Sequence, residues 1–71
     1  MEKQQYCSLI SKNVRRYRKE KKYTQKQLAD AIFVTQQYIS EIERGNREPR
    51  MGILASLAGI FEVEVANLFK R

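Results

Sequence analysis

A chain of 71 residues buries only about 60% of its unfolded surface on folding, so residues 1–71 are expected to form a single domain and multi-domain readings are excluded. Fourteen Lys and Arg against eight Asp and Glu leave a formal charge of +6, a field that favours a polyanion: nucleic acid first, an anionic membrane second. Histidine is absent and Cys7 is the one cysteine, which excludes an internal disulfide and a Cys/His zinc cluster and removes the commonest general base, so no metal, cofactor or enzymatic activity is expected.

The longest apolar run, Gly52 to Phe61, is interrupted by Ser56 and is too short to cross a bilayer. The opening MEKQQYCSLISK has no apolar stretch resembling a secretory signal. A cytoplasmic, reducing location is therefore expected, with no membrane partner. Glycine is scarce, Pro49 is the one proline, and neither a repeat nor a low-complexity tract is visible. An all-α architecture of five short helices around one core follows, with the core spanning residues 8–69.

The first helix is expected from about Ser8 to Lys21, since Ile10, Val14 and Tyr17 recur at spacings of four and three along one face. A second helix is announced by Thr24, whose hydroxyl can accept from the unpaired amides of the first turn, with Gln27 completing a capping-box pattern. Leu28, Ala29 and Ile32 form its core face. Phe33, Val34 and Thr35 then intervene, and Thr35 is again a good N-cap for a helix from Gln36 to Arg44. Gly45 supplies the left-handed residue that ends it.

The segment NREPR from Asn46 to Arg50 reads as a loop, because proline disfavours a helical predecessor and lacks a donor of its own. A fourth helix is expected over about Met51 to Phe61, with Leu54, Leu57, Ala58 and Phe61 inward. A fifth, from Glu64 to Phe69, contributes Val65, Leu68 and Phe69.

Two short helices joined by about three residues, over residues 24–45, make a helix-turn-helix pattern if the first packs across the second. On the wheel of the second of these, Ile39 and Ile42 mark the buried direction. Gln37, Ser40, Glu41 and Arg44 occupy the opposite side. Gln and Arg match the hydrogen-bonding edges of adenine and guanine in a major groove, and glutamate accepts from cytosine. Any solvated helix face is also polar, so the stripe alone does not separate base reading from plain solvation.

The stretch TQKQLADAIFVTQQYISEIERGNREPRMGILASLAGIFEVEVANLF, preceded by NVRRYRKEKKY, resembles the lambda-repressor-like (XRE/Cro-type) helix-turn-helix DNA-binding family. The likeness covers about Ile10 to Phe69. Its most specific pieces are Thr24-Gln25 with Leu28-Ala29, the run Ile39-Ser40-x-Ile42-Glu43-Arg44-Gly45, Pro49, and the closing Asn67-Leu68-Phe69. The resemblance implies a recognition helix over about residues 36–44 lying in the major groove of duplex DNA.

Carried over by position, the resemblance makes Gln36 and Gln37 base readers, Gln37 the firmer of the two, with Gln36 alternatively only solvating the helix end. Ser40, Glu41 and Arg44 complete the base-reading set. Gln25 resembles the family glutamine that holds a phosphate at the second helix's N-terminus, where unpaired amides present partial positive charge. Thr24, Lys26, Thr35, Tyr38 and Asn46 join it on the backbone side, with Arg15 and Lys22 from the basic run over residues 12–22 and Arg47 and Arg50 from the following loop. Such contacts give affinity and register without reading sequence. Arg18 and Glu43 fall where the family has a structural ion pair, either buried or exposed.

The sequence also departs from the family. Glycine is common there before the second helix, in the turn between the two helices, and between the last two helices, where this chain has Lys22, Phe33 and Glu62. If those backbones keep positive φ, each non-glycine costs about 1 kcal/mol. The alternative is that the turns are reshaped. Phe33 either packs its ring against a core edge or stands exposed as a partner contact.

A domain of this size makes few contacts, and the family's members bind as two-fold dimers with half-sites about 34–36 Å apart. Ile53, Ile60, Val63 and Val65 supply more apolar surface than a small core uses, so they either form a dimer interface or complete the core. The resemblance thus implies a homodimeric regulator on a palindromic operator, a controller protein or autoregulating repressor, with RNA polymerase as a further contact and no small-molecule ligand. Only Lys70 and Arg71 follow the last helix, which weighs against an antitoxin with a toxin-binding tail. The competing class is a protein-interaction or RNA-binding adaptor that uses the same fold without reading duplex DNA.

Overall fold

The computed structural model describes residues 3–71; Met1 and Glu2, included in the single-domain expectation, lie outside the described residues. Helix α1 spans Lys3–Glu20, α2 Gln25–Ala31, α3 Gln36–Glu43 and α4 Met51–Phe61, followed by a 3-10 turn over Val65–Phe69. Among the described residues there is no strand, and no helix is long and apolar enough to cross a membrane.

The all-helical class holds, but the count of five helices is corrected to four α-helices and the 3-10 turn. Five residues give too little chain to offset helix nucleation, and the bonds that form, from Asn67 N to Glu64 O at 2.9 Å and from Lys70 N to Asn67 O at 3.5 Å, span three residues rather than four. Asn13, buried on α1, ties this turn to the domain by donating to Leu68 O at 2.9 Å and Lys70 O at 2.7 Å. Helix α1 also begins at Lys3 rather than near Ser8, because Lys and Gln are good helix formers and no Gly or Pro stops it.

The N-terminal ends of α2 and α3 form as their capping side chains dictate. Thr24 Oγ1 accepts from Gln27 N at 3.0 Å while Thr24 N donates to Gln27 Oε1 at 2.9 Å, a complete capping box. Thr35 Oγ1 accepts from Tyr38 N at 3.0 Å and starts α3.

The four C-terminal ends share one solution. After α1, Tyr23 N donates to Arg18 O and Lys22 N to Lys19 O. The same paired bonds link Val34 to Ala29 and Phe33 to Asp30, Asn46 to Glu41 and Gly45 to Ile42, and Val63 to Ala58 and Glu62 to Gly59. Each is a Schellman motif with a left-handed residue at its corner. Those corners are Lys22 (φ 63°), Phe33 (φ 62°), Gly45 (φ 78°) and Glu62 (φ 60°). The three positions without the family's glycine therefore keep positive φ, and the turns are not reshaped.

The core lies between α1, the α2–α3 pair and α4. Ile10, Val14, Leu28, Ile39, Ile42, Leu54, Leu57, Phe61 and Leu68 are its fully buried large side chains, each contributing about 1.5–3 kcal/mol through removal from water. Tyr17 closes one edge by stacking on Phe61 with ring centroids 5.6 Å apart. Phe33 takes no part in this: its side chain is 94% exposed, so of the two expectations for its ring the packed one is excluded.

Candidate nucleic-acid interface

Helix α3 has two unlike faces, and the inner one fixes its position. Glu43, on the last turn, is buried among polar groups from α1 and α2. Arg18 Nε donates to Glu43 Oε2 at 2.6 Å and its Nη2 to Oε1 at 3.1 Å. The two side chains are 13% and 3% exposed, so the ion pair is the buried alternative. The remaining Arg18 fork atom, Nη1, donates to Tyr23 O at 2.9 Å, which ties the same guanidinium to the turn after α1.

Two further donors reach the same residue. Gln25 Nε2 donates to Glu43 Oε1 at 3.1 Å, joining the N-terminus of α2 to the end of α3. Arg15 Nη2 donates to Glu43 O at 2.6 Å, and Ser11 Oγ to the same carbonyl. A guanidinium at a helix C-terminus meets the negative end of the macrodipole, so Arg15 stabilises α3 by charge as well as by hydrogen bonding. Gln25 and Arg15, both expected at phosphates, are thus engaged with Glu43 in the free protein.

The outer face is open to water. Gln36, Gln37 and Arg44 are exposed, and Ser40 and Glu41 are half-buried. Glu41 Oε1 accepts from Arg47 Nη2 at 2.9 Å and Nε at 3.1 Å, and Oε2 accepts a longer bond from Gln37 Nε2 at 3.4 Å. The Arg47 guanidinium also lies 5.0 Å above the centre of the Tyr38 ring. Hydrogen bonding from Arg47, aided by its charge, outweighs the opposing desolvation and lowers the Glu41 carboxyl from its ordinary value.

Most of the residues expected on the backbone side are open to solvent. Lys22, Thr24, Lys26, Thr35, Asn46, Arg47 and Arg50 are exposed and Tyr38 is half-buried. The Thr24 and Thr35 hydroxyls cap their own helices, and Lys26 Nζ pairs with Asp30 at 3.2 Å along α2. Ile53, Ile60, Val63 and Val65 are each partly buried against the core, which agrees with the core use considered for them; each also keeps part of its surface exposed. Met51, 65% exposed on α4, adds to that apolar surface.

Sequence reasoning missed Ser11 and Asn13, which are buried and hold the ends of α3 and the 3-10 turn. Their signal was present: each stands within about 60° of an apolar residue on the α1 wheel, flanking the Ile10–Val14–Tyr17 stripe. Among the described residues no group of His, Cys, Asp and Glu is placed to hold a metal ion.

The comparisons with known proteins agree with this geometry. A family model described as helix-turn-helix matches residues 14–68. The uncharacterized HTH-type transcriptional regulator YqaE of Bacillus subtilis is 34% identical over 87% of this chain, which spans only 53% of that relative. The N-terminal DNA binding domain of SinR from Bacillus subtilis superposes with a TM-score of 0.83 at 31% identity, covering 90% of this chain and 94% of that one. The restriction-modification controller protein C.AhdI from Aeromonas hydrophila superposes with a TM-score of 0.83 at 25% identity, covering 89% and 96%. With the Arg18–Glu43 pair, the Thr24 and Thr35 caps and the packed α2–α3 unit in place, the chain belongs to the lambda-repressor-like (XRE/Cro-type) helix-turn-helix family.

Proposed function

We propose that this protein is a sequence-specific, duplex-DNA-binding transcriptional regulator that inserts α3 into the major groove. The observation that carries this reading is the contrast between the two faces of α3. The inner face is locked by Arg18, Gln25, Arg15 and Ser11, while Gln37 and Arg44 stand exposed on the opposite side and Gln36 is exposed at the start of the helix. A rigidly held helix presents amide and guanidinium groups at reproducible positions, which is what reading base edges requires. Ser40 and Glu41 flank them as further candidates for base contact. Lys22, Lys26, Asn46, Arg47 and Arg50 surround the face as phosphate contacts, in keeping with the +6 charge.

The reading includes a homodimer on a palindromic operator, with the partly exposed Ile53, Ile60, Val63 and Val65 and the neighbouring Met51 as the apolar surface for pairing. A controller protein or autoregulating repressor is the specific role favoured, and the likeness to C.AhdI supports it. Selection from random duplex DNA, followed by titration of the enriched site, tests this. A palindromic consensus with half-sites one helical turn apart and saturation at two chains per site is the expected result. The absence of any consensus, with binding that only fades as salt rises, overturns sequence reading and favours an adaptor.

A further inference from the structure

The cluster of Glu41, Arg47, Gln37 and Tyr38 has a chemistry that base reading alone does not use. A carboxylate and a phosphate present similar acceptors to the guanidinium fork. Arg47 turns Nε and Nη2, one edge of its fork, to Glu41 Oε1, so that edge cannot hold a phosphate at the same time. Gln37, whose amide is the other group of interest for DNA, donates to the second oxygen of the same carboxylate. One side chain thus holds a phosphate-contact candidate and a base-contact candidate together. The Glu41 side chain is 24% exposed and Arg47 50%, so the clasp is partly shielded yet open enough for exchange.

We propose that Glu41 is a positioning residue that clasps Arg47 and Gln37 in the free protein and releases both when Arg47 takes a phosphate, coupling backbone contact to base reading. This rests on the DNA-binding function proposed above. While the clasp is closed, Arg47 and Glu41 form a neutral pair, and the Nε–Nη2 edge is withheld from a phosphate. Opening it on random DNA breaks that pair and turns a carboxylate toward a polyanion, with no base edge matched to the freed Gln37. At an operator, the released amide meets its base and offsets the loss. Glu41 therefore weakens binding to random DNA more than to the operator, which is specificity gained by penalising the wrong partner.

The test titrates the full chain, Glu41→Gln, Arg47→Ala and the double variant against the selected operator and against random duplex across salt concentration. Freeing one phosphate contact should tighten Glu41→Gln binding to random duplex about 8-fold near 0.1 M salt and steepen its log–log salt slope by about 0.9. The operator-to-random ratio should fall, and the gain should vanish when Arg47→Ala is added. In the protein without DNA, the Arg47 Nε–H proton resonance should shift in Glu41→Gln. A gain that persists in the Arg47→Ala background would reduce Glu41 to a bulk charge and overturn the clasp. So would an unmoved Arg47 resonance, or a loss confined to the operator, which would make Glu41 a direct base reader. If the unaltered chain binds no duplex at all, the DNA-binding reading itself fails, independently of the clasp.

Discussion

Glu41 and Glu43 stand two residues apart on α3 and each accepts from an arginine, yet they belong to different parts of the molecule. About 200° of helix separates them. Glu43 is 3% exposed and bound by Arg18, with Gln25 on the same carboxylate; Glu41 is 24% exposed and bound by Arg47, with Gln37 beside it. Water makes the difference. A buried pair leaves a costly unpaired charge when one partner is removed, so it acts as a fixture. A pair at the surface exchanges its partner for another anion at little cost, so it serves a binding event.

The largest effect should come from breaking the inner pair. Glu43→Ala or Arg18→Ala is expected to cost about 3–5 kcal/mol in urea unfolding, whereas replacing both by apolar residues of similar volume should recover much of the loss. A cost under about 1 kcal/mol would place Glu43 on the same footing as exposed pairs and dissolve the contrast. Next in size, Gln37→Ala should weaken operator binding by about 1–3 kcal/mol and leave random duplex untouched. Equal loss on both would remove it from base reading.

The helix ends sharpen the comparison from a different side, because what they contribute is chiefly backbone strain. Glycine at Lys22 or Phe33, both in the left-handed region, should each stabilise the fold by about 0.5–1 kcal/mol, measured by urea midpoint; at Glu62 the same gain is offset by loss of its exposed ion pair with Lys21 Nζ at 3.0 Å. Phe33→Gly is the cleanest, since a ring that is 94% exposed forfeits little packing. Conversely, Gly45→Ala should destabilise by about 1 kcal/mol through backbone strain alone, as a Cβ there meets only Cys7 O at 4.0 Å.

The smallest effect concerns pH. Glu41 titrates below its unfolded value, so its contribution to stability is fully present above the unfolded pKa and is lost as pH falls through the lowered folded one. Carboxylate NMR should give Glu41 a lower midpoint in the unaltered chain than in Arg47→Ala. Matching midpoints would show that Arg47 does not hold it.

Much of this was legible in the sequence because the signals are local. Thr24 with Gln27 and Thr35 three residues before Tyr38 mark helix starts through bonds that span three residues, and the Ile10–Val14 and Leu28–Ile32 spacings set the core. The Arg18–Glu43 pair was found by resemblance rather than by pattern. What stayed hidden depends on contacts between distant segments. Asn13 reaches carbonyls 55 and 57 residues away and ties the last turn to α1, a contact that no local pattern announces. Arg15 looked like one more cation in a basic run, and only the packing of α1 on α3 shows that it caps a helix end.

The most direct test of two functional faces on α3 is to map backbone amide shifts of the labelled protein as operator DNA is added. Perturbations should concentrate at Gln36, Gln37, Ser40, Arg44 and Arg47, with Ile39, Ile42 and Glu43 nearly unmoved. Shifts centred instead on α4 and the 3-10 turn, with the outer face of α3 silent, would contradict the assignment of α3 as the reading helix.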